Sequence, residues 1–451
     1  MTAIAWFFIV FTALNLLLSL TVVGLSIVAL SRERRWMAGF DARLRERWAV
    51  LPSISVVIPA FNEEDSILQS VKSAMKSRYP SLEIVVVNDG STDNTMDLLH
   101  AAYKLLPLEN SGVVASGRLS TEPIRGLWVA AEGALLVIDK HNGGKADAIN
   151  AGINMARSPL VCVVDADTLL ERDTLLALAE PFFDNPHMLV AGGFIRLKDS
   201  ARGFVARSLY WLQQLEYARS YGCFRAGLNV IHANVIISGA LGLFRRAAIL
   251  EVGGYDPLAV GEDMELVLRL HDHYIKKQRP YAISQIGFAC CRTASCDKLD
   301  LLGRQRVRWQ RGLLSSLRAY QHLIFAPKAR SVGMIALPYL LAFDVLGPFV
   351  EVLGLLFLLG STLSGFLPGS LLATFGLVLL IGGLNNVLCL AVDAAYLGQQ
   401  LSWGARLRML LIGLLEPFGY HWVNLWWRIK GSFIYLTSVQ TRTAWTMRGK
   451  P

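Results

Sequence analysis

Two aspartates, Asp165 and Asp167, directly follow Val161-Cys162-Val163-Val164, a run rich in β-branched residues that suits a buried strand. Carboxylates cannot be buried unpaired in such a strand without a large cost in free energy, so the pair belongs at the strand's exit. Two acidic side chains on a rigid edge offer oxygen ligands to a hard divalent cation, which would bring a phosphorylated substrate with it. The alternative is an acidic turn that caps the following helix.

Short apolar runs alternate with helical patterns between residues 53 and 200, which predicts a mostly parallel sheet covered on both faces. The predicted strands are 53–58, 83–88, 135–139 and 160–164, the predicted helices are 64–78, 92–106 and 145–156, and residues 107–127 are expected to form a loop. Ligands bind such sheets at the carboxyl edge of the strands. The turns that follow the strands should therefore meet at one site.

One of these turns, Gly143-Gly144-Lys145, has the ending of a phosphate-binding loop. A P-loop needs Ser or Thr after the lysine, and Ala146 stands there, so a P-loop NTPase is excluded. Lys145 can still contact a diphosphate, because glycine lets the backbone approach a ligand closely.

Gln305, Arg308 and Trp309 fall at positions i, i+3 and i+4 and would share one face of a helix. An arginine grips phosphate oxygens, an indole stacks on a sugar ring and an amide reaches a hydroxyl, so this face suits a sugar phosphate. An amphipathic helix with an anchoring tryptophan is an equal alternative.

Glu262 and Asp263 follow Gly261 and open a helical run. Acidic residues are common in the first turn of a helix because they favour the positive end of its dipole. A carboxylate here is also a plausible general base for a hydroxyl nucleophile. His271 and His273, further along the run, are expected on a solvated face without a role.

The chain of 451 residues is 53% hydrophobic, too apolar for an ordinary soluble protein. Residues 3–30 carry no charge and are followed by six arginines against three acids up to residue 47. This pattern predicts an uncleaved transmembrane helix whose basic flank is cytoplasmic. The net charge of +9 is then explained by anionic lipid headgroups rather than nucleic acid. The six cysteines are expected to be reduced.

Further apolar blocks at 332–361 and 368–396 predict spanning helices. A block at 408–438 fits one helix, a re-entrant pair, or a span plus an interfacial helix. The stretches 201–226 and 298–324 predict amphipathic helices, packed on the sheet or lying in the membrane interface. Asp344 and Glu351 interrupt the first block, and we expect at least one to face a polar path; the alternative is neutralisation by another helix.

Six motifs together resemble those of membrane-embedded family 2 glycosyltransferases, such as bacterial cellulose, chitin, hyaluronan and poly-N-acetylglucosamine synthases. The motifs are Pro59-Ala60-Phe61-Asn62-Glu63, Asn88-Asp89-Gly90-Ser91, Gly144-Lys145-Ala146, Asp165-Ala166-Asp167, Gly261-Glu262-Asp263 and Gln305 to Trp309. Their order and spacing match over about residues 50–315, and each motif alone is weak.

The resemblance implies roles for single residues. On the nucleotide side, Ala60, Glu63 and Asp89 would hold uridine, Lys145 would contact the diphosphate and Asp165 would fix the nucleotide. Asp167 would bind Mg²⁺ or Mn²⁺. The catalytic residues would be Asp263, as general base, and its neighbour Glu262. Gln305 and Arg308 would meet the leaving UDP, and Trp309 would stack on the acceptor sugar.

The resemblance also implies an α/β architecture, a cytoplasmic GT-A (Rossmann-like) domain with interfacial helices, inserted between transmembrane α-helices. The expected boundaries are an N-terminal transmembrane helix at 1–31, a basic cytoplasmic linker at 32–50, the GT-A domain at 51–297, interfacial helices at 298–330, transmembrane helices at 331–438 and a tail at 439–451. The expected location is the bacterial inner membrane, with the catalytic domain in the cytoplasm.

The implied function is an inverting, processive β-glycosyltransferase that extends a polysaccharide from a UDP-sugar and translocates it. Its partners would be the donor, a glycan acceptor, the bilayer and, potentially, accessory secretion subunits, with no nucleic acid. The rivals are a non-processive enzyme that glycosylates ceramide or diacylglycerol and a scaffold with a vestigial site. Cellulose is disfavoured because the gating loop of cellulose synthases is absent; Arg442, Trp445 and Arg448 are candidates for a substitute lid.

Overall fold

A computed structural model describes residues 2–108, 118–131, 134–199, 201–365, 369–397 and 402–437, which form two compact units. We call Glu33–Lys198 with Asn234–Ala294 the sheet unit, and Met1–Arg32 with Asp199–Ala233 and Ser295–Val439 the helical unit. The tail at 439–451, with Arg442, Trp445 and Arg448, lies outside the described residues.

Within its described residues, the sheet unit has one ten-stranded sheet in the order β3-β4-β5-β2-β1-β6-β9-β8-β10-β7. The strands are β1 (Ile54–Ala60), β2 (Leu82–Asn88), β3 (Leu106–Pro107), β4 (Ile124–Val129), β5 (Leu135–Lys140), β6 (Leu160–Val164), β7 (Leu169–Leu170), β8 (Met188–Leu197), β9 (Leu241–Arg245) and β10 (Ala282–Thr293).

Helices occupy both units. Those wholly in the sheet unit are α2 (Phe40–Arg47), α3 (Ile67–Met75), α4 (Thr95–Tyr103), α5 (Lys145–Met155), α6 (Thr174–Asp184), α9 (Arg246–Glu251) and α10 (Glu262–Lys276). The others are α1 (Thr2–Ala38), α7 (Phe204–Tyr217), α8 (Ala226–Val230), α11 (Leu299–Ala319), α12 (Leu337–Tyr339), α13 (Gly347–Leu363), α14 (Gly369–Leu397), α15 (Trp403–Leu415) and α16 (Tyr420–Thr437). π-Helical segments lie at Ala218–Arg225, Val332–Ala336 and Leu340–Leu346.

The four predicted strands are present as β1, β2, β5 and β6, and they pair in parallel in the order β5-β2-β1-β6. Every residue of β1 and β6 is buried, as their β-branched composition requires. The predicted helices are present as α3, α4 and α5. One difference is β4, which begins at Ile124 inside the segment predicted as a loop; residues 109–117 of that segment lie outside the described part of the chain.

The unit boundaries also differ from the predicted domains. Residues 199–233, predicted inside the domain at 51–297, group with the helical unit. The predicted linker at 32–50 is helical, because α1 continues to Ala38 and α2 follows at Phe40. Arg43 and Arg47 of α2 pair with Glu180 of α6, so the basic residues there are partly used in packing within the sheet unit.

Three helical stretches of the described residues are long and apolar enough to cross a membrane: Trp6–Ala38, Val332–Leu363 and Phe375–Tyr396. They coincide with three of the predicted spans. The fourth apolar block forms two helices, α15 and α16, separated by a short turn at Glu416–Phe418. Pro417 explains the break, because proline removes a backbone donor and clashes with the preceding turn of a continuous helix.

All six cysteines lie in described residues and are free thiols. Five are buried, and Cys296 is half-buried.

Candidate active site

The turns after β1, β2, β5 and β6 lie at one edge of the sheet, because parallel strands end on the same side. The register pairs Ala60 with Asn88, and Asn88 with Asp139. The backbone N–H of Asp89 donates to the carbonyl oxygen of Ala60 at 2.8 Å, which joins the first two turns directly. The predicted convergence of the turns is therefore present in the structure.

Asp89 and Lys140 form a buried ion pair beneath this edge. Their side chains are both 0% exposed, and the Lys140 ammonium lies 2.7 Å from Asp89 Oδ1 and 2.5 Å from Asp147 Oδ1. Asp89 also accepts hydrogen bonds from the backbone N–H groups of Gly143 (3.0 Å) and Gly144 (2.8 Å). Burial raises the pKa of Asp89 even though Lys140 and these N–H groups oppose the shift. Asp89 thus holds the glycine turn in place, and its contact with uridine stays a prediction.

Ala60 and Glu63, the other predicted uridine contacts, lie at the end of β1 and in the turn between β1 and α3. Ala60 is buried. The Glu63 carboxylate accepts a hydrogen bond from Ser66 Oγ at 2.7 Å, and its backbone N–H donates to Thr95 Oγ1 at 2.9 Å. Both residues thus belong to the edge that carries the site.

Lys145 brings two of the predicted carboxylates together. It is the first residue of α5, and its Nζ lies 2.5 Å from Asp165 Oδ1 and 3.5 Å from Glu262 Oε1. Gly144 has φ +90°, a conformation that glycine adopts at little cost and that directs the chain into the helix. The result is one ammonium group between two acids at the carboxyl edge.

Asp263, the predicted general base, lies at the start of α10 beside this cluster. Its Oδ1 accepts from the N–H of Met264 at 2.8 Å, and its Oδ2 accepts from the N–H of Gly239 at 3.2 Å. A Cβ atom at Gly239 would lie 3.0 Å from Lys145 Nζ and 3.7 Å from Asp263 Cβ. The missing side chain at Gly239 therefore makes room for the cluster.

Asp167 has its own supporting contacts. Its Oδ1 accepts from Thr293 Oγ1 at 3.2 Å and from Thr168 Oγ1 at 3.3 Å, while Lys198 Nζ donates to its backbone oxygen at 3.1 Å. Burial lowers the pKa of Lys198, although the negative charge of Asp167 opposes that shift. Thr293 and Lys198 were missed because they come from the ends of β10 and β8, far away in sequence.

No group of three or more His, Cys, Asp or Glu side chains suited to a metal occurs among the described residues. Mg²⁺ does not require one, because it is commonly held by one or two carboxylates together with waters and substrate phosphates. Asp165 already forms an ion pair with Lys145. At Asp167, the hydroxyl groups of Thr168 and Thr293 both donate to the same oxygen, Oδ1. Of these two carboxylates, Asp167 is therefore the better fit for a metal, and its role as a ligand stays a prediction.

Gln305, Arg308 and Trp309 lie on α11 in the helical unit. Trp309 is 45% exposed and Arg308 is half-buried. Between them in sequence is Arg306, whose guanidinium carbon lies 4.1 Å from the centre of the Trp309 ring and whose Nη1 donates to Gln305 Oε1 at 2.5 Å. Arg306 pairs with Glu216, and neither residue was singled out by the sequence.

Of the two histidines of α10 that were predicted on a solvated face, His271 is placed differently by the structure. His271 is buried rather than solvated: its Nδ1 lies 2.8 Å from the Tyr281 hydroxyl and its Nε2 2.8 Å from the carbonyl oxygen of Asn234. Burial lowers its pKa to about 4. The ring is therefore neutral at pH 7. His273 has a partner as well, since its Nε2 lies 3.1 Å from the Glu251 carboxylate.

Asp344 and Glu351 are both paired with α16. Asp344 accepts from Arg428 Nη2 at 2.9 Å, and Glu351 lies 2.6 Å from His421 Nε2. This arrangement matches the alternative in which another helix neutralises them, so a polar path lined by these carboxylates stays a prediction.

The mixed α/β sheet of the sheet unit is the fold of a GT-A glycosyltransferase domain. A solved structure with a similar fold is the mannosyltransferase PcManGT from Pyrobaculum calidifontis in complex with GDP-Man and Mn²⁺. It has a TM-score of 0.50 and 18% sequence identity, and the match covers 95% of this chain and 99% of that one.

Two family models match the sequence: residues 129–312 match "Glycosyltransferase like family 2", and residues 55–116 match "Glycosyl transferase family 2". The catalytic region of the chain therefore belongs to glycosyltransferase family 2.

Two relatives are poly-β-1,6-N-acetyl-D-glucosamine synthases. The chain is 29% identical over 262 residues to that of Staphylococcus aureus (strain MSSA476), which covers 58% of this chain and 55% of the relative. It is 28% identical over 266 residues to that of Staphylococcus epidermidis, which covers 57% and 54%. The chain thus matches about half the length of these relatives.

Proposed function

We propose that this protein is an inverting, processive β-glycosyltransferase that adds a hexose or N-acetylhexosamine from a UDP-sugar to a growing polysaccharide and moves the product across the membrane. The observation that carries the proposal is the cluster at the carboxyl edge of the sheet, where Lys145 and Asp165 lie beside Glu262 and the held carboxylate of Asp263. The synthase relatives support a polymeric product and favour N-acetylglucosamine as the sugar.

In this proposal Asp263 accepts the proton of the acceptor hydroxyl. The N–H groups of Gly239 and Met264 fix its carboxylate, so little reorganisation is needed when the acceptor arrives. The activated oxygen then attacks the anomeric carbon as the bond to UDP breaks. One such displacement inverts an α-linked donor to a β-linked product without a covalent enzyme intermediate.

Lys145 serves the leaving group. Its ammonium is held between Asp165 and Glu262, and a donor diphosphate would share the same cation. A preorganised charge of this kind stabilises the negative charge that develops on UDP. Gln305 and Arg308 are proposed to bind the departing UDP, and the exposed ring of Trp309 is proposed to stack on the acceptor sugar.

Asp167 is the proposed ligand for Mg²⁺ or Mn²⁺. Such an ion, when bound, neutralises the charge of the donor diphosphate. The chain's own contribution is orientation: Thr293 hydrogen bonds to the carboxylate, and Lys198 holds the backbone of the same residue.

The bilayer is the proposed setting because three described stretches are apolar and long enough to cross it. The arginines between residues 32 and 47 favour the cytoplasmic side of a bacterial inner membrane for the catalytic region. Translocation is testable through Asp344 and Glu351. If Asp344→Ala and Glu351→Ala both leave polymer length and secretion unchanged, these carboxylates do not line a glycan path.

The decisive experiment is UDP release by the purified full chain in lipid nanodiscs with Mg²⁺ or Mn²⁺. UDP-N-acetylglucosamine, UDP-glucose and other UDP-sugars form the panel, with GDP-mannose as a control for the nucleotide. The product is then separated into polymeric and lipid-soluble fractions and subjected to linkage analysis. A lipid-soluble product would favour the lipid glycosyltransferase over the polymerase.

Asp263→Asn tests the base. Removing a general base lowers the rate by about 10²–10⁴-fold, so UDP release should fall by that factor while the thermal unfolding midpoint stays close to wild type. Asp272→Asn, on the same helix and paired with Lys276 near the surface, is the matched control. Equal UDP release from Asp263→Asn and Asp272→Asn would refute the assignment of Asp263 as the base.

A further inference from the structure

Glu216, near the end of α7, is the centre of a polar cluster inside the helical unit. Its Oε2 accepts from Arg306 Nε at 3.0 Å and also from Arg306 Nη2. Its Oε1 accepts from the Tyr420 hydroxyl at 3.0 Å and from Asn424 Nδ2. One carboxylate thus receives donors from α11 and α16, and its side chain is 11% exposed.

Arg306 is the cation that pairs with the Glu216 carboxylate, and the Arg306 side chain is 5% exposed. Burial alone would lower the pKa of Arg306, but the facing Glu216 more than compensates, and the pKa is raised. A guanidinium buried at this depth needs such a partner, because an unpaired buried charge is strongly destabilising. Glu216 therefore determines where the guanidinium plane lies.

The Arg306 guanidinium group also contacts two predicted substrate-binding residues, Gln305 and Trp309. Nη1 donates to Gln305 Oε1 at 2.5 Å, and the guanidinium carbon lies 4.1 Å from the centre of the Trp309 ring. Arginine can do both at once, since its planar group offers five donors in the plane and a flat surface for stacking. The amide and the indole are thus held by the same group.

The helix that carries these residues is itself closely packed. A Cβ at Gly303 of α11 would lie 2.7 Å from Trp427 Nε1, and one at Gly431 of α16 would lie 2.8 Å from Gln310 Cβ. Gln310 also donates to Ser432 Oγ at 3.3 Å. Because α11 and α16 approach so closely, Arg306 has a fixed backbone from which to reach Glu216.

We propose that Arg306, oriented by Glu216, is a positioning residue that sets the Gln305 amide and the Trp309 ring for binding of the sugar acceptor and the leaving nucleotide. The role of these two residues rests on the proposed function. The placement of Gln305 and Trp309 by Arg306 does not depend on the proposed function, so the placement and the function can be tested separately.

The placement is tested by spectroscopy on the full chain in nanodiscs. The protein is labelled with 5-fluorotryptophan, and the ¹⁹F resonance of Trp309 is assigned by its loss in Trp309→Phe. We expect this resonance to shift in Arg306→Lys and in Glu216→Gln, because lysine lacks the flat guanidinium and the neutral amide no longer orients it. Arg304→Lys is the control, since Arg304 is an exposed residue on the same helix that pairs with Asp300.

The functional half uses KM and kcat for an oligosaccharide acceptor. Arg306→Lys should raise the acceptor KM by about ten-fold or more, the equivalent of one charge-assisted hydrogen bond, with a smaller change in the donor KM. Lysine keeps the positive charge beside Glu216, so this variant should fold even if Glu216→Gln does not.

The outcomes distinguish failure of the positioning role of Arg306 from failure of the proposed function. A Trp309 resonance that is unmoved in Arg306→Lys overturns the positioning role, whatever the activity. A shifted resonance with acceptor KM equal to that of Arg304→Lys also overturns it as a determinant of acceptor binding. Absence of UDP release from the wild type with every donor refutes the proposed function, while the resonance still decides the placement.

Discussion

Replacing Lys140 with methionine removes the buried cation that faces Asp89 and Asp147. The ammonium lies 2.7 Å and 2.5 Å from their carboxylates, and neither Lys140 nor Asp89 has any exposed side-chain surface. Methionine keeps most of the aliphatic volume, so the change is mainly one of charge. Removing one partner of a buried pair costs about 3–5 kcal/mol, because the other charge remains buried.

The free energy of unfolding of the sheet unit should therefore fall by about 4 kcal/mol in Lys140→Met. For a unit of this size each kcal/mol lowers the unfolding midpoint by about 2–4 °C, which gives a shift of roughly 8–16 °C. The shift is measured by circular dichroism of the full chain in detergent during heating. Lys72→Met is the matched control, because Lys72 is an exposed lysine on α3 of the same unit.

A double variant tests whether the loss of stability in Lys140→Met is electrostatic. Adding Asp89→Asn to Lys140→Met removes one of the carboxylates left without a counter-charge, so the double variant should regain part of the lost stability. The reasoning is refuted if Lys140→Met shifts the midpoint no more than Lys72→Met. It is equally refuted if adding Asp89→Asn costs as much in the Lys140→Met background as in the wild type.

Three further outcomes are expected. The folded-state pKa of His271 is about 4, below its ordinary value of 6.5. Its contribution to the free energy of unfolding, about 3 kcal/mol, is therefore complete above pH 6.5 and is lost as the pH falls toward 4. Urea unfolding measured against pH should show this loss in the wild type and a flatter dependence in His271→Gln. Gly239→Ala should push the Lys145 ammonium away from the Asp165 carboxylate and raise the donor KM by about ten-fold. Gly404→Ala, where a Cβ meets no atom within 4 Å, should leave the donor KM unchanged. Asp167→Asn should abolish the stimulation of UDP release by Mg²⁺ or Mn²⁺, and retention of a normal metal titration, as in the surface control Asp173→Asn, would contradict the assigned ligand.

The core of the sheet could be read from the sequence because its strands are short β-branched runs that end in polar turns. Val161 to Val164 are buried on both sides of the sheet, so local composition and tertiary environment agree. Once these strands are taken as parallel, the convergence of Lys145 and Asp165 follows from topology. The ion pair between their side chains, at 2.5 Å, was not predicted, because the order of the turns does not determine which side chains touch.

Other features depend on partners that sequence spacing does not reveal. Arg306 is adjacent to Gln305 rather than one helical turn away, and its partner Glu216 lies 90 residues earlier in the chain. The resemblance assigns Asp89 to uridine, and no sequence spacing indicates that the turn after β5 folds over its carboxylate. Both cases are tertiary pairings between charges that are distant in sequence.

His271 did carry a signal. Val267, His271 and Tyr274 fall at i, i+4 and i+7, the spacing of one helical face, and all three are buried. Grouping the histidine with those apolar neighbours would have placed it correctly. The break at Pro417 was also readable, since proline inside an apolar block favours two helices over one.

The distribution of the six thiols makes this chain suitable for chemical labelling. Five are shielded, so a maleimide applied to the native protein should react mainly at Cys296. Its sulfur lies 3.8 Å from Gln305 Oε1, which means that a label there would occupy space next to a proposed UDP-binding amide. Protection of Cys296 by UDP would thus report nucleotide occupancy directly. With that one thiol replaced, single cysteines introduced into the polar ends of the chain could be used to determine membrane sidedness by reagents that do not cross the bilayer.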